Sequence, residues 1–159
     1  MSGKPTVLFD FTIRHVWHRV SRMYNQKAAE IGITMSMGFI LMTVDKEGTP
    51  STQLGPRMGM EPTSLSRTLK TMEERGLLLR KESLKDKRIV YIHLTKEGAE
   101  QRKLVRDFLY EFNNDLLEDI APSKVKVFTE VMQKIDASIE KELNKQLIIN
   151  SEMGRKLIK

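Results

Sequence analysis

The 159-residue sequence contains no cysteine. That excludes disulfides, thiol nucleophiles, thiol redox sensing and cysteine-ligated zinc, and it fits a reducing compartment. No apolar run approaches the roughly 20 residues of a membrane span. The first residues, MSGKPTVLFDFTIR, hold no unbroken apolar stretch of signal-peptide length. The expectation is a soluble, cytoplasmic protein with no membrane partner. Catalytic apparatus is also missing: no serine in a nucleophile-elbow setting, no glycine-rich phosphate loop, no pair of carboxylates at a telling spacing. Neither an enzyme nor a bound cofactor is expected. Repeats, low-complexity stretches and flexible linkers are absent as well. Residues 1–159 are therefore taken as a single domain, long enough to bury about 70% of its unfolded surface without a metal or disulfide.

What is present is positive charge, unevenly placed. The net charge is +6. Residues 1–61 carry 7 Lys/Arg against 5 Asp/Glu, residues 62–96 carry 9 against 4, and residues 97–159 carry 11 against 12. Most of the excess sits in the middle 35 residues. A segregated basic segment is the electrostatic footprint of a polyanion partner, although surfaces also become basic by chance.

The apolar periodicity predicts mostly helix. Phe9, Ile13, Val16, Val20, Tyr24, Ala28 and Ile31 recur at helical steps over 8–31, and Gly32 ends the pattern. Thr34 is placed as the N-cap of a second helix running to about Lys46, apolar nearly all round. Thr49-Pro50 reads as an N-cap followed by proline at the first helical position of a short helix over 50–58. Gly59 breaks that helix. Pro62 opens another, which ends at Gly76 and holds Leu65, Leu69 and Met72 on one face. The period then changes to two. LLLRKES and RIVYIHL predict a hairpin with its tip at 84–87. Thr95 caps a long helix over 96–119, with an apolar stripe of Val105, Phe108, Leu109, Phe112, Leu116 and Ile120. Pro122 starts the last helix. Its residues Val125, Phe128, Met132, Ile135, Ile139 and Leu143 form the narrow seam of a helix that packs on another helix. The tail, 146–159, shows no clear pattern and is expected to be partly disordered.

A short helix, a glycine-containing turn and a second helix with a polar outer face is the helix-turn-helix layout. A basic hairpin after it makes a winged helix. The fold class is thus mainly α with a small β-hairpin wing. The N-terminal end of such a second helix reaches base edges in the major groove. Here that end carries Thr63, Ser64, Ser66 and Arg67, with Lys70 one turn on for phosphate. The hairpin tip carries Lys85, Lys87 and Arg88, suited to the DNA backbone or the minor groove. Asp86 sits two residues before Arg88, and its expected task is to hold an arginine in one orientation. The plainer alternative is a surface salt bridge of little consequence.

The run LGPRMGMEPTSLSRTLKTMEERGLLLRKESLKDKRIVYIHLTKEG resembles the DNA-binding core of the MarR family, the multiple antibiotic resistance regulators. The matching residues are Glu73, Gly76 and Leu77, then Asp86 and Arg88, then Leu94, Thr95 and Gly98. With its flanking helices the resemblance covers about 8–145. It implies a winged helix-turn-helix core at about 34–96 and dimerisation helices at about 8–31 and 96–145. The implied function is a homodimeric transcriptional regulator that binds double-stranded DNA at a pseudo-palindromic operator. Such regulators are often repressors released by a small lipophilic or aromatic ligand. In this resemblance Arg88 is the minor-groove residue and Asp86 its partner. Two features depart from the family, and the first bears on how the first helix of the motif docks. Pro56 lies inside the first helix of the motif and removes one backbone N–H. The cysteine of the family's peroxide sensors is absent.

The resemblance also implies a ligand cleft between the dimerisation helices and the winged helix. His15, Trp17 and Met42 are candidate lining residues, with Met35 and Met37 beside them. Methionines of this kind are more often ordinary core filling. His15 and His18 share a helix face but lack further ligands at metal spacing, so no metal site is expected. The alternative from another functional class is a winged-helix protein-interaction module without specific DNA binding. Retention of Arg67, Lys70 and Arg88 argues against it.

Overall fold

The computed structural model describes residues 6–157, with side chains described through Lys145. In chain order the elements are α1 (Phe9–Glu30), α2 (Met35–Thr43), β1 (Thr49–Pro50), α3 (Ser51–Met58), α4 (Pro62–Glu74), β2 (Leu78–Glu82), β3 (Val90–Leu94), α5 (Lys96–Asp119) and α6 (Pro122–Leu157). The chain divides into two compact units, one ending at Leu109 and the other beginning at Tyr110. α5 contributes to both.

In the first unit the core is built by α2, α3, α4 and the sheet. Ile40, Leu41, Leu54, Met72 and Ile92 are fully buried, with Leu65, Leu69, Leu77 and Leu78 around them. This is the face that the spacing of Leu65, Leu69 and Met72 predicted. The helix ends also follow their sequence signals. Thr34 accepts a hydrogen bond from the Met37 N–H (3.2 Å). Gly59 takes the left-handed conformation (φ 60°) that closes α3. Pro62 stands at the start of α4, where its missing N–H costs nothing. Pro56 lies inside α3 without ending it.

Four boundaries differ from expectation. Thr49 does not cap a helix. It pairs with Ile92, and Pro50 with Tyr91, so β1 is a third, antiparallel strand and the sheet order is β1-β3-β2. Proline is tolerated there because β1 is an edge strand. Two residues are too few for any period to reveal them. α2 stops at Thr43 rather than about Lys46, because Val44 turns extended (φ −68°, ψ 122°). The hairpin strands are shorter than predicted, leaving 83–89 as the connection. Finally, the backbone stays helical through Leu157, so most of the tail belongs to α6. That stretch has no proline, and its Lys, Leu, Gln and Glu are helix formers. Residues 158–159 lie outside the described residues.

The wing is anchored at its base by Gly76, Leu77, Thr95 and Gly98. The Thr95 hydroxyl donates to the Gly76 carbonyl (2.6 Å) and accepts from the Gly98 N–H (3.0 Å). The Thr95 N–H bonds Leu77 O (3.2 Å). A Cβ on Gly98 would lie 1.9 Å from that same carbonyl oxygen. Only glycine allows α5 to start this close to the end of α4. Gly98→Ala is therefore expected to destabilise the fold by about 3 kcal/mol through backbone displacement. A urea-unfolding midpoint within error of the wild type would refute that packing account.

Apolar side chains outside the core are concentrated on the long helices. The C-terminal end of α1 packs through Ala28, while Phe9, Phe11, Val16 and Trp17 near its start are at least half exposed. In the second unit Phe128, Ile139 and Leu143 of the α6 seam are also more than half exposed. No described helix is long and apolar enough to cross a membrane.

Candidate nucleic-acid interface

α4 presents two faces. Leu65, Leu69 and Met72 anchor one in the core, which forces Thr63, Ser64, Ser66, Arg67 and Lys70 outward, all five exposed. No side chain caps the first turn of α4, since Glu61 makes no capping hydrogen bond. The backbone N–H groups of that turn thus remain at the surface with a partial positive charge. Lys70 has only a loose pairing with Glu74 (3.9 Å), worth little at such exposure. Further along, Glu73 bonds Arg80 of β2 (3.0 Å) and ties α4 to the wing. Sequence reading missed this cross-element pair, because nothing local marks two residues seven apart across a helix end.

The wing tip is ordered by its own hydrogen bonds. The Ser83 hydroxyl accepts from the N–H groups of Lys85 (3.2 Å) and Asp86 (3.3 Å). Ile89 N–H closes the turn on Asp86 O (2.9 Å). Asp86 then holds Arg88 in a two-pronged grip: Nε to Oδ1 at 3.1 Å and Nη2 to Oδ2 at 3.0 Å. The Arg88 backbone N–H adds a third bond to Oδ1 (3.0 Å). The predicted pairing of Asp86 with an arginine is thus present, and Arg88 is the arginine. Its side chain stays 90% exposed, so the grip orients the guanidinium without hiding it. Lys85 and Lys87, on either side of Asp86 in the chain, are exposed as well.

Two charges move together at this tip. The Arg88 side chain, and then its backbone N–H, hold the Asp86 carboxyl below the usual carboxylate range. Asp86 in turn pushes the Arg88 guanidinium up. A depressed carboxyl contributes its pairing above the ordinary aspartate value of about 3.9 and loses it as pH falls through the lower folded value. The grip is therefore constant from pH 5 to 8 on this account. Carboxyl titration by NMR is expected to find Asp86 below an ordinary aspartate, and to find it restored in Arg88→Ala. An ordinary Asp86 in the wild type would show that the pair is not held in solution.

The candidate ligand residues occupy different settings. Trp17 stacks on Phe39 of α2 (centroids 6.4 Å apart, planes at 9°). His15 is exposed and Met42 half-buried. Met37 belongs to the core, with the Arg75 guanidinium on its sulfur (3.5 Å). Met35 is half-buried. Among the described residues no group of three or more His, Asp or Glu could hold a metal. A separate open groove of about 700 Å³ runs between α3, α4 and β2, lined by Gly55, Pro56, Met60, Leu65 and Leu69 with Ser66 and Arg80 at its rim.

Known proteins share this arrangement. The sequence model of the MarR family matches residues 33–90. The "Uncharacterized HTH-type transcriptional regulator YhbI" of Bacillus subtilis (strain 168) is 27% identical over 132 residues, covering 82% of this chain and 75% of that protein. Among solved structures, the S. aureus MepR–DNA complex superposes with a TM-score of 0.76 at 18% identity, covering 83% of this chain and 98% of the other. CouR from Rhodococcus jostii RHA1, bound to p-coumaroyl-CoA, superposes with a TM-score of 0.71 at 22% identity, covering 80% and 90%. At these identities the two structures establish a shared fold.

Proposed function

We propose that the chain, whose residues 33–90 match the MarR family model, is a regulator of that family: a sequence-specific DNA-binding transcriptional regulator that acts as a homodimer. The observation that carries this reading is the oriented, exposed Arg88 at the tip of the wing, in a unit whose α4 also turns a polar face to the surface. In this reading α4 lies in the major groove. Ser66 and Arg67 read base edges there, Thr63 and Ser64 hold the helix N-terminus on phosphate, and Lys70 contacts phosphate one turn on. The wing lies along the adjacent minor groove, with Arg88 inserted, Asp86 fixing its angle, and Lys85 and Lys87 on the backbone. Pre-organisation matters because an arginine free to rotate loses side-chain entropy when it binds.

The flanking helices supply the second copy. The exposed apolar residues of α1 and α6 form faces that a lone chain leaves in water. Pairing them in a dimer places two recognition helices about 34–36 Å apart, one turn of DNA. On this reading residues 1–159 work as one functional domain, with the winged-helix core at about 34–96. The protein works in the cytoplasm, where its DNA is, and carries out no catalysis. Regulation is by repression, released by a small lipophilic or aromatic ligand. The CouR complex with p-coumaroyl-CoA supports a small-molecule effector for this fold, and the end of α1 that carries His15 and Trp17, the latter stacked on Phe39, with Met42 on α2, is where we place it.

Selection from random duplexes by the full chain tests the proposal. Enrichment of an inverted repeat is expected, with half-site centres one helical turn apart. Arg67→Ala should relax base preference in each half-site and weaken binding by about 1–3 kcal/mol. Failure to enrich any sequence would favour a winged-helix protein-interaction module instead.

A further inference from the structure

We propose that Arg102 is a positioning residue for DNA binding, tying α5 to the end of α2 and, through Asp45, to helix α3. The proposal rests on the DNA-binding reading above. A helix end leaves backbone carbonyls without partners. At the end of α2 no left-handed glycine closes the turn, because Val44 is extended. Arg102 reaches from α5 instead, and its guanidinium donates to both Leu41 O and Val44 O. The planar guanidinium can serve two acceptors at once, and its charge suits the negative end of the helix dipole.

The next residue continues the connection. The Asp45 N–H donates to the Thr49 hydroxyl (2.8 Å), which donates back to Asp45 Oδ2 (3.1 Å). The same Oδ2 accepts from Arg57 Nη1 of α3 (2.9 Å), and Arg57 Nη2 is held by Gln53 (3.0 Å). The Arg57 side chain, then Thr49, keep the Asp45 carboxyl below the usual range, and Arg102 adds its charge to the same effect. α5, α2, β1 and α3 therefore meet at Val44 and Asp45. β1 is paired with β3, the strand that returns from the wing tip. Both DNA-facing parts of the unit, the helix-turn-helix and the wing, are thus referenced to α5 through one turn. A shift of α5 against α2 would reach both.

The test compares Arg102→Met, which keeps the apolar stem, with Arg102→Lys and with Arg57→Met, alone and combined. Operator affinity is read across a salt series. Arg102→Met is expected to raise the operator Kd about tenfold. The salt slope should be unchanged, since Arg102 touches no phosphate in this account. Arg102→Lys should recover part of the loss, and Arg102→Met with Arg57→Met should cost less than the sum of the single losses. An unchanged Kd in folded Arg102→Met, or full additivity with Arg57→Met, overturns the proposal. So does a fall in salt slope of about one, which would mark a direct phosphate contact. If Arg102→Met does not fold, Arg102→Lys is read by the same criteria. If the wild type binds no duplex, the DNA-binding reading fails by itself. Amide exchange then decides the connection: faster exchange at Asp45 and along α3 in Arg102→Met supports it, and unchanged exchange overturns it.

Discussion

Replacing Ile139 with aspartate is expected to give a folded monomer whose operator affinity is lower by about a hundredfold or more. Ile139 lies on the seam of α6 between Ile135 and Leu143 and is 52% exposed in the single chain. The buried core draws its residues from between Ala28 and Ile92, so the substitution removes nothing from it. A carboxylate placed in an apolar seam between two chains would be an unpaired buried charge, which costs several kcal/mol. Loss of the dimer then removes the effective concentration that one bound half-site gives the other. Sedimentation and anisotropy with the selected operator check the two effects, with the urea midpoint as control. A dimeric Ile139→Asp that binds as the wild type does would remove α6 from the interface.

Arg88→Ala is the second large effect. Its side chain is 90% exposed and, among the described residues, its side-chain hydrogen bonds go to Asp86 alone, so stability should change little. Operator affinity should fall about fivefold to a hundredfold, with a smaller salt slope. Asp86→Ala should weaken binding less, because it only frees the arginine to rotate. In the double variant the Asp86 substitution should add almost nothing, since there is no arginine left to orient. Additive losses would mean that Asp86 acts by some route other than Arg88. A stable Arg88→Ala with wild-type affinity would remove the wing from the interface.

The difference between what the sequence revealed and what it hid follows from range. Local signals were legible: glycines and prolines that end helices, the three-four spacing of Leu65, Leu69 and Met72, the switch to period two, and an aspartate two residues before its arginine. Each is a relation among neighbours. β1 was read as a helix cap because threonine followed by proline satisfies both roles, and only its pairing with Ile92 and Tyr91 separates them. The end of α2 was placed too late for a similar reason. Its stop is an arginine 58 residues away that takes the Val44 carbonyl. The Glu73–Arg80 tie and the Asp45–Arg57 pair escaped likewise, since partners on different elements leave no periodic trace. The residues proposed to face DNA were named from a local rule combined with charge, and Thr63, Ser64, Ser66, Arg67 and Lys70 are all exposed. The ligand residues were proposed by resemblance alone, and the stacking of Trp17 on Phe39 had no sequence signal.

Equilibrium binding of the full chain to its selected operator, by fluorescence anisotropy over a salt series with a scrambled duplex as control, decides whether this protein is a specific DNA-binding regulator. Operator binding at least about a thousandfold tighter than binding to the scrambled duplex is expected, falling steeply as salt rises. Equal affinity for both duplexes, or none for either at low salt, would contradict it.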